Sequence, residues 1–384
     1  MTRDAFHIKT NPAVLKWARE SLSLNKTKAA KVLDFPSSRL EQLETGAKFP
    51  SLSELKMMSK VYKRTIATLL LVNPPVEKPL PKDCRTVNSS QLGKFHEKTI
   101  LAVRKARALA NSLLELRNEM NVRTPPFRIR ATMHEDPLKI AIQVRQLLAL
   151  HEFRNITHFG QALEAYIERL ETFGIAVFQI SLTQDKLRGF SITDDILPII
   201  VVKKGGELIS TKIFTLFHEL GHIILNIGGL CDITLSVDAP KIEKWCNSFA
   251  AELLVPSTEL LANAIVRNKD KHDPYWQKKD LEEIGKDFHV GPLVILRRLL
   301  AHHLTTSKVY GEKHITWNKP AFGRKEHPEG RNIAREIITE KGRGYVSLAF
   351  KAFDQNKINI KDLSDFLGVG FSYLPKTRQL LIAE

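Results

Sequence analysis

The stretch FTLFHELGHIILN, residues 214–226, decides how this chain is read. Phe214, Leu216, Phe217, Leu220, Ile223, Ile224 and Leu225 surround a segment of helical period with apolar side chains, which predicts an almost wholly buried helix. His218, Glu219 and His222 interrupt that surface as H-E-x-x-H. At about 100° and about 1.5 Å per residue, positions four apart differ by about 40° and about 6 Å, so both imidazoles can reach one ion from one face. Glu219 lies beside that ion, in the place of a general base acting on a water molecule. Two imidazoles and a carboxylate in apolar surroundings are costly without a purpose, which favours a metal site over a satisfied structural pair of histidines.

Two histidines do not complete a catalytic zinc site, which usually takes three protein ligands and one water. The next apolar helix candidate, residues 241–254, offers Glu243 and Glu252. These are about half a turn out of phase, so a regular helix cannot aim both at one ion. Glu243 shares its face with Asn247, Ala250 and Leu254, and small residues there let two helices approach closely. Glu243 is therefore the expected third ligand, with Asn247 expected to support the ligand set and Glu252 to be a supporting or surface group. Cys246, Cys231, Asp232 and Asp238 are poorer candidates, and Cys246 reads as a small buried core residue. The expected cofactor is one Zn2+ ion, with other divalent metals allowed.

Around this centre, the 384 residues allow two or three domains. With 43% hydrophobic and 26% charged residues, wholesale disorder is excluded. No apolar run approaches the roughly 18 residues of a membrane span, and the opening MTRDAFHIKT lacks a secretory signal's apolar stretch. Cys84, Cys231 and Cys246 show no C-x-x-C spacing, which argues against a disulfide framework. A cytoplasmic protein with no membrane partner is expected.

The formal net charge of +16 is unevenly placed: residues 1–130 carry +14, residues 131–290 carry −5 and residues 291–384 carry +7. A basic front suits a polyanion, while the middle has other work. Residues 12–72 read as four or five short helices in helix-turn-helix order, with Ser37 and Ser38 as capping types, Gly46 as a stop and S-L-S-E from Ser51 as a capping box. Prolines 74, 75, 79 and 81 mark a connector, and residues 92–120 form a basic amphipathic helix candidate. Residues 174–180 and 196–202 read as strands, with helices predicted at 138–150, 159–172, 257–267, 278–288 and 292–304. A Gly-, Pro- and Lys-rich stretch at 305–330 precedes a helical end. The expected organisation is a helix-turn-helix domain at 1–72, a linker and basic helix at 73–130, a metal-bearing α+β domain at 131–310 and a helical C-terminal region at 311–384. The fold class is mainly α.

FTLFHELGHIIL followed by ExxxNxFAAELLxP resembles the ImmA/IrrE family of bacterial metallo-endopeptidases, within the zincin group. LKWARESL, LETGAKFPSLSELKMMSKVYKR and the connector ending in PKDCR are similar to members that carry an XRE-type helix-turn-helix in front. GIAVFQI with GFSITDDILPIIVV, IGKDFHVGPLVILRRLL and KINIKDLSDFLGVGFSYLP extend the likeness along the chain. Cys84 departs from it where an aromatic is usual, as do Lys203 and Lys204 after the strand. The resemblance implies a zincin-like domain with His218, His222 and Glu243 as ligands and Glu219 as catalytic base. It also implies cleavage of a helix-turn-helix repressor, with derepression of stress, mobile-element or defence genes.

A front domain docking as helix-turn-helix proteins do would place Ser37, Ser38, Arg39 and Gln42 at base edges and Lys26, Lys28, Lys31 and Lys48 at phosphates. The alternative is a small bundle that binds protein: its own copy, as a homodimer, or a repressor-like partner encoded next door. The expected function is a zinc endopeptidase fused to a DNA-binding domain, regulating transcription by limited proteolysis. The competing expectation is a non-proteolytic regulator or antitoxin-like protein that uses the metal fold for sensing or docking. Tyr166, Tyr275, His302 and His303 are available as transition-state donors, with none singled out, and the two histidines are expected at a surface helix end.

Overall fold

A computed structural model describes residues 6–83, 95–182, 187–193, 196–231, 240–270, 272–317 and 332–383. The chain divides into two compact units, one of Met1–Leu80 with Gly93–Arg104 and one of Pro81–Leu92 with Lys105–Glu384. Among the described residues, no helix is long and apolar enough to cross a membrane.

The N-terminal unit holds α1 (Pro12–Glu20), α2 (Lys26–Leu33), α3 (Ser37–Thr45), α4 (Leu52–Tyr62) and α5 (Ile66–Leu69). Leu15, Ala18, Leu33, Leu40, Leu43 and Leu55 supply much of its core. Asn11 and Asn25 cap α1 and α2 through side-chain oxygens, and Ser51 forms a full capping box with Glu54 on α4. The start of α3 differs from the reading of Ser37 and Ser38 as caps: Pro36 occupies the cap position without a side-chain bond, and Ser37 is already helical. Gly46 ends α3 at φ +81, where an added Cβ would meet Pro12 Cγ at 2.8 Å. The long basic helix α6 (Glu97–Glu119) is divided by the unit boundary, so it is not confined to a connector.

A buried ion pair braces α1 to α3. Arg19 donates from Nε to Glu44 Oε1 at 2.6 Å, from one terminal nitrogen to Oε2 at 2.9 Å, and from the other to the Leu24 carbonyl at 2.7 Å. Both residues are buried.

The larger unit contains β1 (Lys82–Asp83), α7 (Pro137–Leu147), α8 (Phe159–Thr172), β2 (Ala176–Ile180), β3 (Gly189–Ile192), β4 (Ile199–Lys203), α9 (Ile209–Ile224), β5 (Gly229–Cys231) and α10 (Lys241–Leu254). It continues through α11 (Ser257–Ala262), α12 (Ala264–Asn268), α13 (Lys278–Asp287), α14 (Pro292–Ala301) and α15 (Ser307–Trp317), and ends in α16 (Ile333–Lys341), α17 (Arg343–Asp354), α18 (Ile360–Leu367) and α19 (Leu374–Ala383). The protein is thus mainly α, with one small mixed sheet of order β1-β5-β3-β4-β2. β2 and β4 run parallel, with Ala176 opposite Ile199, while β3 is antiparallel to β4 and β5. Every residue of β2 is buried, and its run is apolar except for Gln179. Val177, Ile200 and Val202 pack into the core that also holds α9 and α10.

Three local expectations change. The segment 257–267 is two helices, because Asn263 is extended and caps α12 by accepting from the Ile265 N–H. Helix α15 occupies part of the stretch read as irregular, and it crosses the 310/311 division; residues 318–331 lie outside the described residues. β3, at four residues, was not singled out as a strand of its own. The connector's Cys84 lies outside the described residues.

Replacing Arg19 by Met, which strands Glu44 in the core, is expected to cost about 3–5 kcal/mol. Adding Glu44→Leu should restore most of that loss. Urea unfolding of the three proteins checks both steps.

Candidate metal centre

The metal-site helix α9 is held against the sheet at two places. Lys212, buried in its first turn, donates from Nζ to Gln179 Oε1 on β2 at 3.1 Å and to the Lys204 carbonyl at 2.6 Å. Burial lowers the Lys212 pKa, opposed by the Glu207 carboxylate. At the start of β3, a Cβ on Gly189 would meet Thr215 Cγ2 at 2.6 Å, Val201 O at 2.8 Å and Glu219 Cγ at 3.5 Å. Only glycine lets β3 lie so close to Thr215 of α9 and to the Val201 carbonyl of β4.

On its other side α9 meets α10. A Cβ on Gly221 would sit 3.1 Å from Cys246 Sγ and 3.3 Å from Cys246 Cα, so the two backbones approach with almost nothing between them. The buried Cys246 fills this contact as a small core residue, while Ala250 continues the narrow seam.

That seam brings the sequence-derived candidates together. His218 Nε2 and His222 Nε2 are 3.2 Å apart, Glu243 Oε2 is 3.2 Å from His218 Nε2, and Glu243 Oε1 is 3.4 Å from His222 Nε2. His218, Glu219 and His222 are fully buried, and Glu243 is 1% exposed. Among the described residues these three ligand types form a group able to hold an ion. Asn247, one turn after Glu243, places Oδ1 at 3.0 Å from His218 Nδ1. Its oxygen accepts from the Nδ1–H, which leaves the His218 Nε2 lone pair facing the other two groups.

The spacing fits a tetrahedral ion. Bonds of about 2.0–2.1 Å at tetrahedral angles put ligand atoms about 3.3–3.4 Å apart; the two imidazole nitrogens are 3.2 Å apart, and each has a different Glu243 oxygen at 3.2 or 3.4 Å. Burial opposes ionisation of Glu243, yet hydrogen bonding and charge attraction from His218 and His222, when these are protonated, outweigh it and hold its pKa at about 2; a metal cation among the neutral rings would exert the same pull. The carboxylate is therefore ready as an anionic ligand.

Glu252 is not a surface group. It is buried on the opposite face of α10, as its half-turn offset from Glu243 requires, and it pairs with the buried Arg298 of α14. It also accepts from the Ser257 N–H at 3.0 Å and from the Ser257 hydroxyl at 2.9 Å. Arg298 Nε donates to the Val255 carbonyl at 3.1 Å. His302, expected as a charged group on a surface helix end, is half-buried with Nε2 at 3.2 Å from Ser257 Oγ, and burial next to Arg298 lowers its pKa. This brace was missed because Arg298 carries no local signal 46 positions downstream. Tyr166 is likewise committed: its hydroxyl is 3.0 Å from His289 Nδ1, and its ring is stacked edge-on to Phe217. Tyr275 is exposed, and His303 adopts a left-handed backbone after α14. Asp232 and Asp238 lie outside the described residues, and Cys231 is described by its backbone alone.

In the N-terminal unit, Lys26, Lys28, Ser37 and Ser38 are exposed, and Gln42 is half-exposed. Lys26 pairs with Glu41 at 3.3 Å. Arg39 is engaged within the unit: its guanidinium donates to both Glu54 oxygens at 2.7 and 2.8 Å, and to the Phe49 carbonyl at 3.2 Å. That bonding holds the Glu54 pKa at about 2, below its usual 4.5, so the pair stabilises above pH 4.5 and weakens as pH falls toward 2. Reaching a guanine with Arg39 would cost this fork.

Residues 170–300 match the model of the IrrE N-terminal-like domain, a peptidase family. No curated protein matches the chain. The matched span holds β2 to β5, α9, α10 and the His218, His222 and Glu243 triad, and it makes this part of the protein a metallopeptidase-like domain.

Asn247→Leu should leave the fold intact and lower zinc affinity about 10–100-fold, since the imidazole loses the acceptor that fixes it. Competition against a chromophoric chelator measures the change.

Proposed function

We propose that the protein is a zinc-dependent endopeptidase that regulates transcription by limited proteolysis of a repressor-like helix-turn-helix partner, with basic N-terminal helices that bind DNA. The observation that carries the proteolytic reading is the triangle of His218, His222 and Glu243 at 3.2–3.4 Å with Glu219 on the same buried helix.

His218, His222 and Glu243 would hold the ion, and a zinc ion there supplies Lewis acidity toward water and the scissile carbonyl. Glu219 takes the proton of the attacking water and returns it to the leaving amine. Asn247 keeps the His218 ring in one orientation throughout. Exclusion of solvent from Glu219 strengthens its interaction with the developing positive charge on the amine.

The DNA reading rests on the +14 carried by residues 1–130 and on exposed Lys26, Lys28, Lys31 and Lys48 around α2 and α3. Ser37, Ser38 and Gln42 remain the candidate base readers, while Arg39 acts as a brace for Glu54.

A second reading is favoured by one observation: His218, Glu219 and His222 have no exposed surface, which suits a metal fold used for sensing or docking a partner. Glu219→Gln separates the two. Under the proteolytic reading it keeps stoichiometric zinc and DNA affinity while cleavage of the neighbouring repressor falls about 10²–10⁴-fold. Full derepression in cells by this variant would instead support the non-proteolytic regulator.

For the front unit, log affinity for duplex DNA should fall linearly with log salt, by about 0.9 for each phosphate contact. Lys28→Ala and Lys31→Ala should each reduce that slope by about one. A flat salt response would turn the reading toward a protein-binding bundle.

A further inference from the structure

A cavity of about 240 Å³ opens between α7, α10 and α14. Its walls include Leu138, Lys244, Asn247, Ser248, Arg297 and Leu300, and none of its lining residues is acidic. Three cations line it, and they are not equivalent. Arg298 is buried and already neutralised by Glu252. Lys244 is exposed, Arg297 is half-buried with its guanidinium 5.3 Å from the Tyr310 ring centre, and neither makes an ion pair among the described residues. The cavity is thus lined by two basic residues with no ion pair among the described residues, beside leucine and alanine.

The cavity also touches the metal centre. Asn247 lines it and, through Oδ1, accepts the hydrogen bond from His218 Nδ1. Lys244 follows Glu243 directly in α10, so the ligand carboxylate and the cationic rim are carried by adjacent residues. A group that enters the cavity lies one amide and one imidazole away from the bound ion.

We propose that this cavity is a subsite for an acidic side chain, Asp or Glu, that flanks the scissile bond of the peptide substrate. Lys244 and Arg297 receive the carboxylate, Ser248 and Asn247 offer polar groups beside it, and Leu138 and Leu300 cover the methylene stem. Arg298 takes no direct part, because its charge belongs to Glu252. The subsite selects targets with an acidic residue near the cleavage point.

This rests on the metallopeptidase reading, so the test measures binding in a chain that does not cut. Full-length zinc-loaded Glu219→Gln protein is titrated against a fluorescein-labelled Glu-rich peptide and against the same peptide with Gln at each Glu, by anisotropy. The Glu peptide should bind about tenfold more tightly, the combined effect of two partly exposed charge pairs. Lys244→Glu with Arg297→Glu should erase the preference. Lys278→Glu with Lys279→Glu, an equal charge change on exposed positions of α13, should preserve it. Equal binding of the two peptides overturns the proposal, as does a preference that survives the cavity variant or disappears equally in the α13 control. Displacement of the Glu peptide by inorganic phosphate at lower concentration than by acetate also overturns it, in favour of a phosphate site. Wild-type protein that shows the charge preference yet cleaves nothing would remove the peptidase reading and leave the carboxylate site standing.

Discussion

Everything at the metal centre depends on how closely α9 and α10 approach. The ligand atoms lie at 3.2–3.4 Å because Gly221 faces Cys246 with no room for a side chain. A methyl group there must push the helices apart by some tenths of an ångström. The two histidines would stay together, since they share a helix, but Glu243 would withdraw from both. Three lone-pair-bearing groups gathered away from water repel one another, so their convergence is stable only with positive charge among them. The packing of two helix backbones thus sets the distance, and an ion held there would supply the reason for it.

The same helix carries two buried carboxylates with opposite duties. Glu243 and Glu252 lie half a turn out of phase on α10, one aimed at the imidazoles and one at Arg298. Each buried charge is balanced by its own partner, which avoids the large penalty of an unpaired ion in the core. The Glu252 pair ties the end of α10 to α14 and to the start of α11, through Ser257 and the Val255 carbonyl. Rotation of α10 about its axis would break that brace and the ligand set together. Glu252 thereby fixes the angle at which Glu243 faces the two imidazoles.

What was legible in advance was periodic or local. The buried helix from Phe214, the i, i+4 histidines, the phase difference between the two glutamates and the capping box at Ser51 all follow from spacing along a single helix. The features that were missed depend on partners distant in sequence. β3 is four residues long and gains its identity only by pairing with β4 and β5. Arg298 reads as one more basic residue until α14 folds against Glu252. Arg39 reads as a base reader until Glu54, 15 positions later, turns out to serve the Ser51 capping box and the guanidinium at once. The break at Asn263 was local, yet it was hidden within an apolar run that a helix period also fits.

Asn247 joins the recognition surface to the ligand set. Its amide is small enough to stand between the cavity and the His218 ring, and its Oδ1 fixes which imidazole nitrogen carries the proton. Leucine of similar size would fill the same space without that acceptor, and the ring could then turn its protonated nitrogen toward Glu243. An aspartate would accept as well as the amide does, but it would add a second negative charge beside Glu243 and partly cancel Lys244 and Arg297. The neutral amide is the side chain that orients the imidazole while leaving both the cationic rim and the ligand charge unaltered.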